Sequence, residues 1–263
     1  MQITCRTVDA FLEHWNGQVN VLLAPELIRF ELDLPPCEEV IDILRRNERS
    51  RVQIPGIPDE AEREKRIAAF RTQPLEDILE SPFTLANFHL QDFYGKGQFL
   101  EHFQRDVMIP WRTFLSAAGF TWQRCYPIIF ISGKGCSSSY HADNSHVLAW
   151  QVYGTKNFNG FKDPQAVLPA QQIVDEKQNV RSPHPPEADP ESVVTYEMVP
   201  GDLLWNQFLT PHWVDGGGNQ PSMSINLSHG GIQYQGRFCP NEVILRKRWE
   251  AHPEEAWLVD ERY

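Results

Sequence analysis

Three side chains in the second half of the chain have the types and spacing of a metal site. His141 and Asp143 lie two positions apart in SSSYHADNSHVLAW (137–150), so on a β-strand their side chains leave the same face. His212 follows in GDLLWNQFLTPHWVDGG (201–217), another segment of β-formers and turn residues. Two histidines and one carboxylate on one face of a divalent ion leave positions open, as in non-haem Fe(II) oxygenases. A structural zinc site would instead close its four positions with protein ligands, typically including cysteine.

The segments that must position these residues fall into two parts. Residues 1–124 are mainly helical in pattern, beginning with Thr7 as the N-cap of a helix that runs through His14. Residues 98–120 carry two helical pieces divided at Pro110, because an interior proline breaks or kinks a helix. Two further helical patterns, one amphipathic and one charged, occupy 38–47 and 59–71. We expect this region to pack on the part of the chain that follows.

β-Strand patterns begin near residue 125. Short runs rich in β-branched and aromatic residues, bounded by Gly, Pro, Asn or Ser, give about eight candidate strands between residues 127 and 230. Such a series predicts a mainly β fold with flanking helices, in the form of a barrel or jelly roll. The polar, proline-rich insertion 162–191 is of a length that is usually functional or disordered, so a lid and a surface loop both stay open. Helical patterning returns in a C-terminal tail, 239–263.

Two stretches of the β half resemble the JmjC-type, cupin-like branch of the Fe(II)- and 2-oxoglutarate-dependent oxygenases. They read IFISGKGCSSSYHADNSHVLAWQVYGTKNF (129–158) and VPGDLLWNQFLTPHWVDGGGNQPSMSINLS (199–228). The resemblance implies a double-stranded β-helix over residues 125–238. It also implies that the two histidines and the aspartate hold Fe(II) near one mouth of the barrel, with 2-oxoglutarate and O2 as cosubstrates.

The same resemblance assigns three residues to 2-oxoglutarate. Lys156, fifteen residues after the first histidine, would pair with the distal carboxylate, Ser138 would share that carboxylate, and Asn226 would help hold the cosubstrate near the metal. Val147 departs from the family pattern, since several relatives have a polar residue there. A dicarboxylate that enters an apolar barrel needs a cation, because an unpaired buried charge is costly. From its position alone, Lys156 could equally face water at a strand end.

Composition argues against several other classes. Lys and Arg total 24 against 35 Asp and Glu, and the net charge of −11 repels phosphate backbones, so we expect no nucleic-acid partner. No apolar run approaches the roughly 18 residues that span a bilayer, and the first residues lack a secretion signal, so we expect no membrane association. Five scattered cysteines without a CxxC pair indicate neither a disulfide framework nor a zinc cluster. A reducing, cytoplasmic location fits this pattern.

We therefore expect a hydroxylase that acts on a C–H bond of a protein or peptide side chain, or of a small metabolite, with decarboxylation of 2-oxoglutarate to succinate. The sequence does not separate these two substrate classes, and the C-terminal helical segment is a candidate homodimer element. Two alternatives stay open. One is a metal-binding cupin-like protein that is not an oxygenase, such as an isomerase or a ligand-sensing module, which has no need for Lys156. The other is a structural β-domain in which the ligand pattern is coincidental.

Overall fold

The computed structural model describes residues 2–136, 138–176, 181–182, 184–216 and 218–256 of the chain. Its strands are β1 (Thr4–Cys5), β2 (Val21–Leu23), β3 (Arg51–Gln53), β4 (Thr84–Asn87), β5 (Phe120–Thr121), β6 (Arg124–Ser132), β7 (Ser138–Ala142), β8 (His146–Tyr153), β9 (Lys156–Phe161), β10 (Arg181–Ser182), β11 (Val193–Met198), β12 (Leu203–Asn206), β13 (Pro211–Gly216), β14 (Ser222–Gly230) and β15 (Gln233–Tyr234). Its α-helices are α1 (Val8–His14), α2 (Cys37–Arg46), α3 (Glu60–Thr72), α4 (Leu75–Leu79), α5 (Ile109–Ala117), α6 (Pro164–Val167), α7 (Ala170–Asp175) and α8 (Pro240–Ala251). In these ranges no helix combines the length and the apolar character needed to cross a bilayer.

Two sets of four antiparallel strands face each other and form the barrel. The 8-stranded sheet contributes strands in the order β12-β8-β14-β6, and the 5-stranded sheet contributes β7-β13-β9-β11. Along the chain, β6, β8, β12 and β14 lie in the first sheet, whereas β7, β9, β11 and β13 lie in the second. This is the double-stranded β-helix that the resemblance implied, and the mainly β fold with flanking helices is confirmed.

Strand β14 illustrates how side chains divide between the two faces of the larger sheet. Met223, Ile225 and Leu227 are fully buried in the core that the sheet shares with the N-terminal helices. The alternating residues Ser224 and Asn226 leave the opposite face, and Ser224 contacts a side chain of the facing sheet. Along this strand the interior of the barrel is therefore polar, as expected of a binding site.

The N-terminal region covers the outer face of the larger sheet. Thr7 caps α1 by accepting a hydrogen bond from a first-turn backbone N–H at 3.2 Å, as the sequence predicted. Trp111 of α5 packs on Trp205 of β12, with ring centroids 6.0 Å apart. Pro110 lies in the first turn of α5, where proline is tolerated, and a π-helical turn, Gln104–Met108, precedes it. The proline thus marks the start of a helix.

Four short strands of the same region extend the larger sheet at both edges. Strand β2 pairs with β12 and β1, and β4 pairs with β6 and β3. The sequence prediction of a mainly helical region contains no such strands, because runs of two to four residues are too short for an alternating pattern to stand out. The division of the chain into residues 1–124, 125–238 and 239–263 stays a prediction.

The first half of the insertion 162–191 contains two short helices. Helices α6 and α7 occupy it, Ile173 is fully buried, and α7 packs on α8, which lies where the sequence predicted a C-terminal helix. Residues 177–180 and 183 of the insertion, and 257–263 of the tail, lie outside the described residues. A lid role for the insertion stays a prediction.

Candidate metal centre

Strand register brings two histidines together at one end of the barrel. On the paired strands β7 and β13, His141 lies directly opposite His212, and Ala142 lies opposite Pro211. Directly paired residues project from the same face of a sheet, and the two imidazole centroids are 4.3 Å apart. Asp143 follows the end of β7, and ligand atoms of these histidines and this aspartate lie within 4.8 Å of one another. The three residues that the sequence singled out therefore converge.

The carboxylate of Asp143 lies between the two imidazoles. One oxygen is 3.7 Å from His141 Nε2, and the other is 3.7 Å from His212 Nε2. The Nδ2 group of Asn206, on β12, donates a hydrogen bond to Asp143 Oδ2 at 3.3 Å. The backbone N–H of Leu209 donates to the Asp143 carbonyl at 2.7 Å and fixes the residue just beyond the strand. The side chain and the backbone of the aspartate are thus both held.

Backbone carbonyls set the tautomer of both histidines. His141 Nδ1 lies 2.6 Å from the Ser139 carbonyl, and His212 Nδ1 lies 3.0 Å from the Thr210 carbonyl. Because a carbonyl can only accept, each Nδ1 carries the proton and donates it. Each Nε2 then keeps its lone pair, and both face the carboxylate. Metal-binding histidines are oriented in this way by the hydrogen bond of the second ring nitrogen.

Burial keeps His212 in the neutral form that a metal ion requires. Burial first, and then the neighbouring His141, lower the pKa of His212 to about 4, although Asp143 acts in the opposite direction. The ring of Phe158 stacks on this imidazole, with centroids 4.9 Å apart and planes 9° apart. The side chain of His212 is 4% exposed, against 19% for His141 and 32% for Asp143. The centre is closed on the His212 side and open toward Asp143.

Lys156 lies inside the barrel, with its ammonium group between the two sheets. It is 6% exposed, and its Nζ donates at 3.3 Å to the Phe130 carbonyl of β6 and to Ser224 Oγ of β14. Burial lowers the pKa of Lys156 to about 8, while the thiol of Cys37 acts in the opposite direction. Among the described residues, no carboxylate forms an ion pair with it. An acidic ligand that enters the barrel would therefore supply the anionic partner that this buried cation lacks.

The pairing of strand β8 with its neighbours shows how the lysine lies relative to the histidines. Val147 on β8 pairs with Asn206, whose side chain bonds Asp143, and Ala149, two residues later, pairs with Asn226. The residue of β8 two positions further along pairs with Ser224, whose side chain bonds Lys156. Each step of two residues is about 7 Å along a strand. Asn226 therefore lies between the two ends of the site, and its Oδ1 is buried without a hydrogen-bond partner.

A β-bulge determines where Ser138 points. On β13, Val214 is two residues after His212, but the residues that they face on β7, Ser138 and His141, are three apart. The extra residue lies on β7 and reverses the alternation, so Ser138 projects from the same face as His141. Ser138 is exposed, which places it at the rim of the site.

Two residues that contact the predicted set were not identified from the sequence. Ser224 shares the ammonium group of Lys156, and Asn206 orients Asp143. The resemblance assigned Asn226, and Ser224 stands two positions before it in SMSINLS, so the two-residue period of a strand could have identified this serine on the same face. No spacing rule identifies Asn206, because its role follows from the pairing of β12 with β8.

Comparisons with known proteins support the fold. No sequence model of a protein family matches the chain, and no curated protein matches its sequence. A solved structure of the ribosomal oxygenase YcfD from Escherichia coli, in complex with cobalt and 2-oxoglutarate, matches with a TM-score of 0.52 at 18% identity. A second YcfD structure, with cobalt and succinic acid, matches with a TM-score of 0.51 at 17% identity. Both matches cover 100% of this chain and 61% of the YcfD chain.

At these identities the comparison establishes a shared fold. The resemblance to JmjC-type oxygenases drawn from the sequence is confirmed at that level. The chain spans about three-fifths of the length of the YcfD structures that it matches.

Proposed function

We propose that this chain, whose fold is that of a JmjC-type oxygenase, is an Fe(II)- and 2-oxoglutarate-dependent oxygenase that hydroxylates a C–H bond. One observation carries the proposal. His141, Asp143 and His212 converge at one end of a barrel whose interior also holds Lys156, a buried cation with no carboxylate partner among the described residues. Many metal-binding proteins have such a set of metal ligands. The buried lysine is more specific, because it requires an acidic cosubstrate to pair with its charge.

The residues present fit the metal and cosubstrate. Two imidazole nitrogens and a carboxylate oxygen on one face form the ligand set of non-haem Fe(II) enzymes. When bound there, the iron and 2-oxoglutarate would supply the activation of O2, with decarboxylation of 2-oxoglutarate to succinate. His141, Asp143 and His212 would hold the ion, and Asn206 would keep the aspartate in place.

The far end of the site suits a dicarboxylate. Lys156 and Ser224 would bind the distal carboxylate, and Ser138 at the rim is the third candidate for that contact. Asn226 lies on β14 between Ser224 and the metal end of the site, so its amide N–H group could donate a hydrogen bond to the cosubstrate.

An apolar wall shields this space from water. Its buried members are Phe158, Val194, Tyr196, Met198 and Leu204, which form one packed cluster across the two sheets. Water exclusion strengthens electrostatic interactions within the site and limits side reactions of reactive species. The wall would therefore strengthen the attraction between Lys156 and the distal carboxylate.

The substrate in this proposal is a protein or peptide side chain, or a small metabolite. The description of YcfD as a ribosomal oxygenase supports the first class. The net charge of −11 argues against a nucleic-acid substrate. All five cysteines are free, which suits a reducing, cytoplasmic location. A homodimer through α8 stays a prediction that a solution molar mass would test.

The test is release of succinate from 2-oxoglutarate by the purified protein with Fe(II) and O2. His141→Ala should abolish it, while the control His184→Ala, at an exposed histidine, should not change it. Peptide and metabolite libraries are then screened for stimulated succinate release and for products heavier by one oxygen atom. If wild type binds the metal but never consumes 2-oxoglutarate, the non-oxygenase alternative replaces the proposal.

A further inference from the structure

A second group of metal-ligating side chains lies outside the candidate centre and is fully enclosed. His146 begins β8, Cys239 directly precedes α8, and Glu242 lies in the first turn of α8. Their ligand atoms lie within 4.8 Å of one another. The three residues are 0%, 3% and 3% exposed, respectively. The candidate centre uses none of them.

Two polar atoms of this group have no hydrogen-bond partner. They are His146 Nε2 and Glu242 Oε2, and both are buried. The second oxygen of Glu242 accepts hydrogen bonds from Arg246 at 2.9 and 2.6 Å. The Phe208 N–H donates a hydrogen bond to His146 Nδ1 with 3.4 Å between the two nitrogens, which is a long and therefore weak hydrogen bond. Buried polar atoms are rarely left unpaired, because each one is costly.

The third member, Cys239, directly precedes the 12-residue helix α8, where the helix dipole favours a negative charge such as that of a thiolate. A divalent cation next to the sulfur would displace its proton.

We propose that His146, Cys239 and Glu242 form a second metal site, for Zn²⁺ or a cation of the same class. Nitrogen, sulfur and oxygen donors from three side chains suit this borderline-soft ion. The ion would link the start of α8 to the start of β8, close to the loop between β7 and β8 that carries Asp143. Asn241, between two of the ligands, already donates a hydrogen bond to the Phe208 carbonyl at 2.9 Å in that region. The proposal does not depend on the proposed oxygenase activity.

Cobalt distinguishes this site from the candidate centre, because only this site contains sulfur. The full chain is produced in cells supplied with Co²⁺ in place of Zn²⁺, and the near-ultraviolet thiolate-to-cobalt charge-transfer band is measured. We expect the band in wild type and in the double variant His141→Ala/His212→Ala. Cys239→Ser should abolish it, whereas Cys125→Ser, at a buried cysteine outside the group, should retain it.

Elemental analysis provides a second measurement that does not require a variant at the new site. The double variant lacks two ligands of the candidate centre, so zinc retained by the folded protein should approach one ion per chain. Absence of the cobalt band in wild type, or a double variant that folds without zinc, would overturn the proposal. A band that persists in folded Cys239→Ser would overturn it as well. The trio would then be a metal-free buried polar cluster.

Discussion

Replacing Lys156 by methionine separates what this lysine does for the folded protein from what it would do for a cosubstrate. The side chain is buried, and burial lowers its pKa from 10.5 to about 8. A shift of this size corresponds to roughly 3 kcal/mol by which folding disfavours the charged form. Lys156→Met removes that penalty and keeps a similar volume. Without ligand, we expect the variant to be at least as stable as wild type near pH 7.

The lowered pKa of Lys156 also predicts how the stability of the protein changes with pH. Because the folded-state pKa is the lower one, the unfolded chain binds more protons between pH 8 and 10.5. The Lys156 contribution to the free energy of unfolding therefore rises with pH through that window. The difference between wild type and Lys156→Met isolates this contribution from other groups. Urea denaturation at pH 7, 8.5 and 10 measures it.

The same substitution should weaken the binding of 2-oxoglutarate. Removing one partner of a buried charge pair costs about 3–5 kcal/mol, which raises the Kd for 2-oxoglutarate at least ~100-fold. At a concentration ~100 times the wild-type Kd, ligand stabilises wild type by about 2.7 kcal/mol and the variant by about 0.4 kcal/mol. With about 2–4 °C per kcal/mol for a chain of this size, Tm rises by about 5–10 °C in wild type and about 1 °C in the variant.

Thermal denaturation with Mn²⁺, with and without 2-oxoglutarate, provides the assay. Lys162→Met is the matched control, because Lys162 is an exposed lysine just beyond the end of the same strand. The control should keep the full wild-type response. The same ligand-induced rise in Tm for Lys156→Met and wild type would refute the assignment of Lys156 to the distal carboxylate.

Three further predictions concern Asn206, Trp111 and the buried histidines outside the centre. Asn206→Ala removes the hydrogen bond to Asp143 Oδ2, and metal affinity measured by calorimetry should fall about 10–100-fold. Trp111→Phe removes the 2.7 Å hydrogen bond to His229 Nε2, leaves a buried nitrogen unpaired and should lower the free energy of unfolding by about 1–3 kcal/mol in urea. Burial lowers the pKa of His146 to about 3 and that of His229 to about 4, so the unfolded chain binds more protons below pH 6.5. The free energy of unfolding should therefore fall between pH 6.5 and 4, by up to about 1.4 kcal/mol per pH unit for each histidine. Urea denaturation at several pH values should show a smaller fall with pH in His229→Gln than in wild type.

Each of these predictions has its own control or contrary result. Trp249→Phe, at a partly buried tryptophan of α8, should change stability less than Trp111→Phe, and an equal loss would contradict the role of the Nε1 hydrogen bond. Unchanged metal affinity in Asn206→Ala would mean that Asp143 needs no orienting partner. A flat stability profile down to pH 4 would contradict the burial of neutral histidines.

Part of the candidate site could be predicted from local spacing, because His141 and Asp143 share a short segment. The assignment of Lys156 came from the resemblance to the JmjC-type family. The contacts that support these residues depend on the pairing of distant strands, which spacing does not reveal. Asn206 reaches Asp143 only because β12 pairs with β8.

Three features of the structure could not be predicted from the sequence. The bulge on β7 decides which way Ser138 points, and nothing in the local residues SSSYHA indicates an extra residue in that strand. The scattered cysteines do not reveal that Cys239 lies near His146, which is far away in the sequence. Short strands β1 to β4 were missed because they are too short to show an alternating pattern, and their pairing is set by the edges of the larger sheet.

Anomalous scattering from crystals grown with Mn²⁺ and 2-oxoglutarate locates the metal ion directly. At the candidate centre we expect a manganese peak about 2 Å from His141 Nε2, His212 Nε2 and a carboxylate oxygen of Asp143, with 2-oxoglutarate on the same ion and its distal carboxylate at Lys156. The absence of a manganese peak within reach of all three side chains, or an ion there whose remaining positions are filled by protein atoms, would rule out this centre.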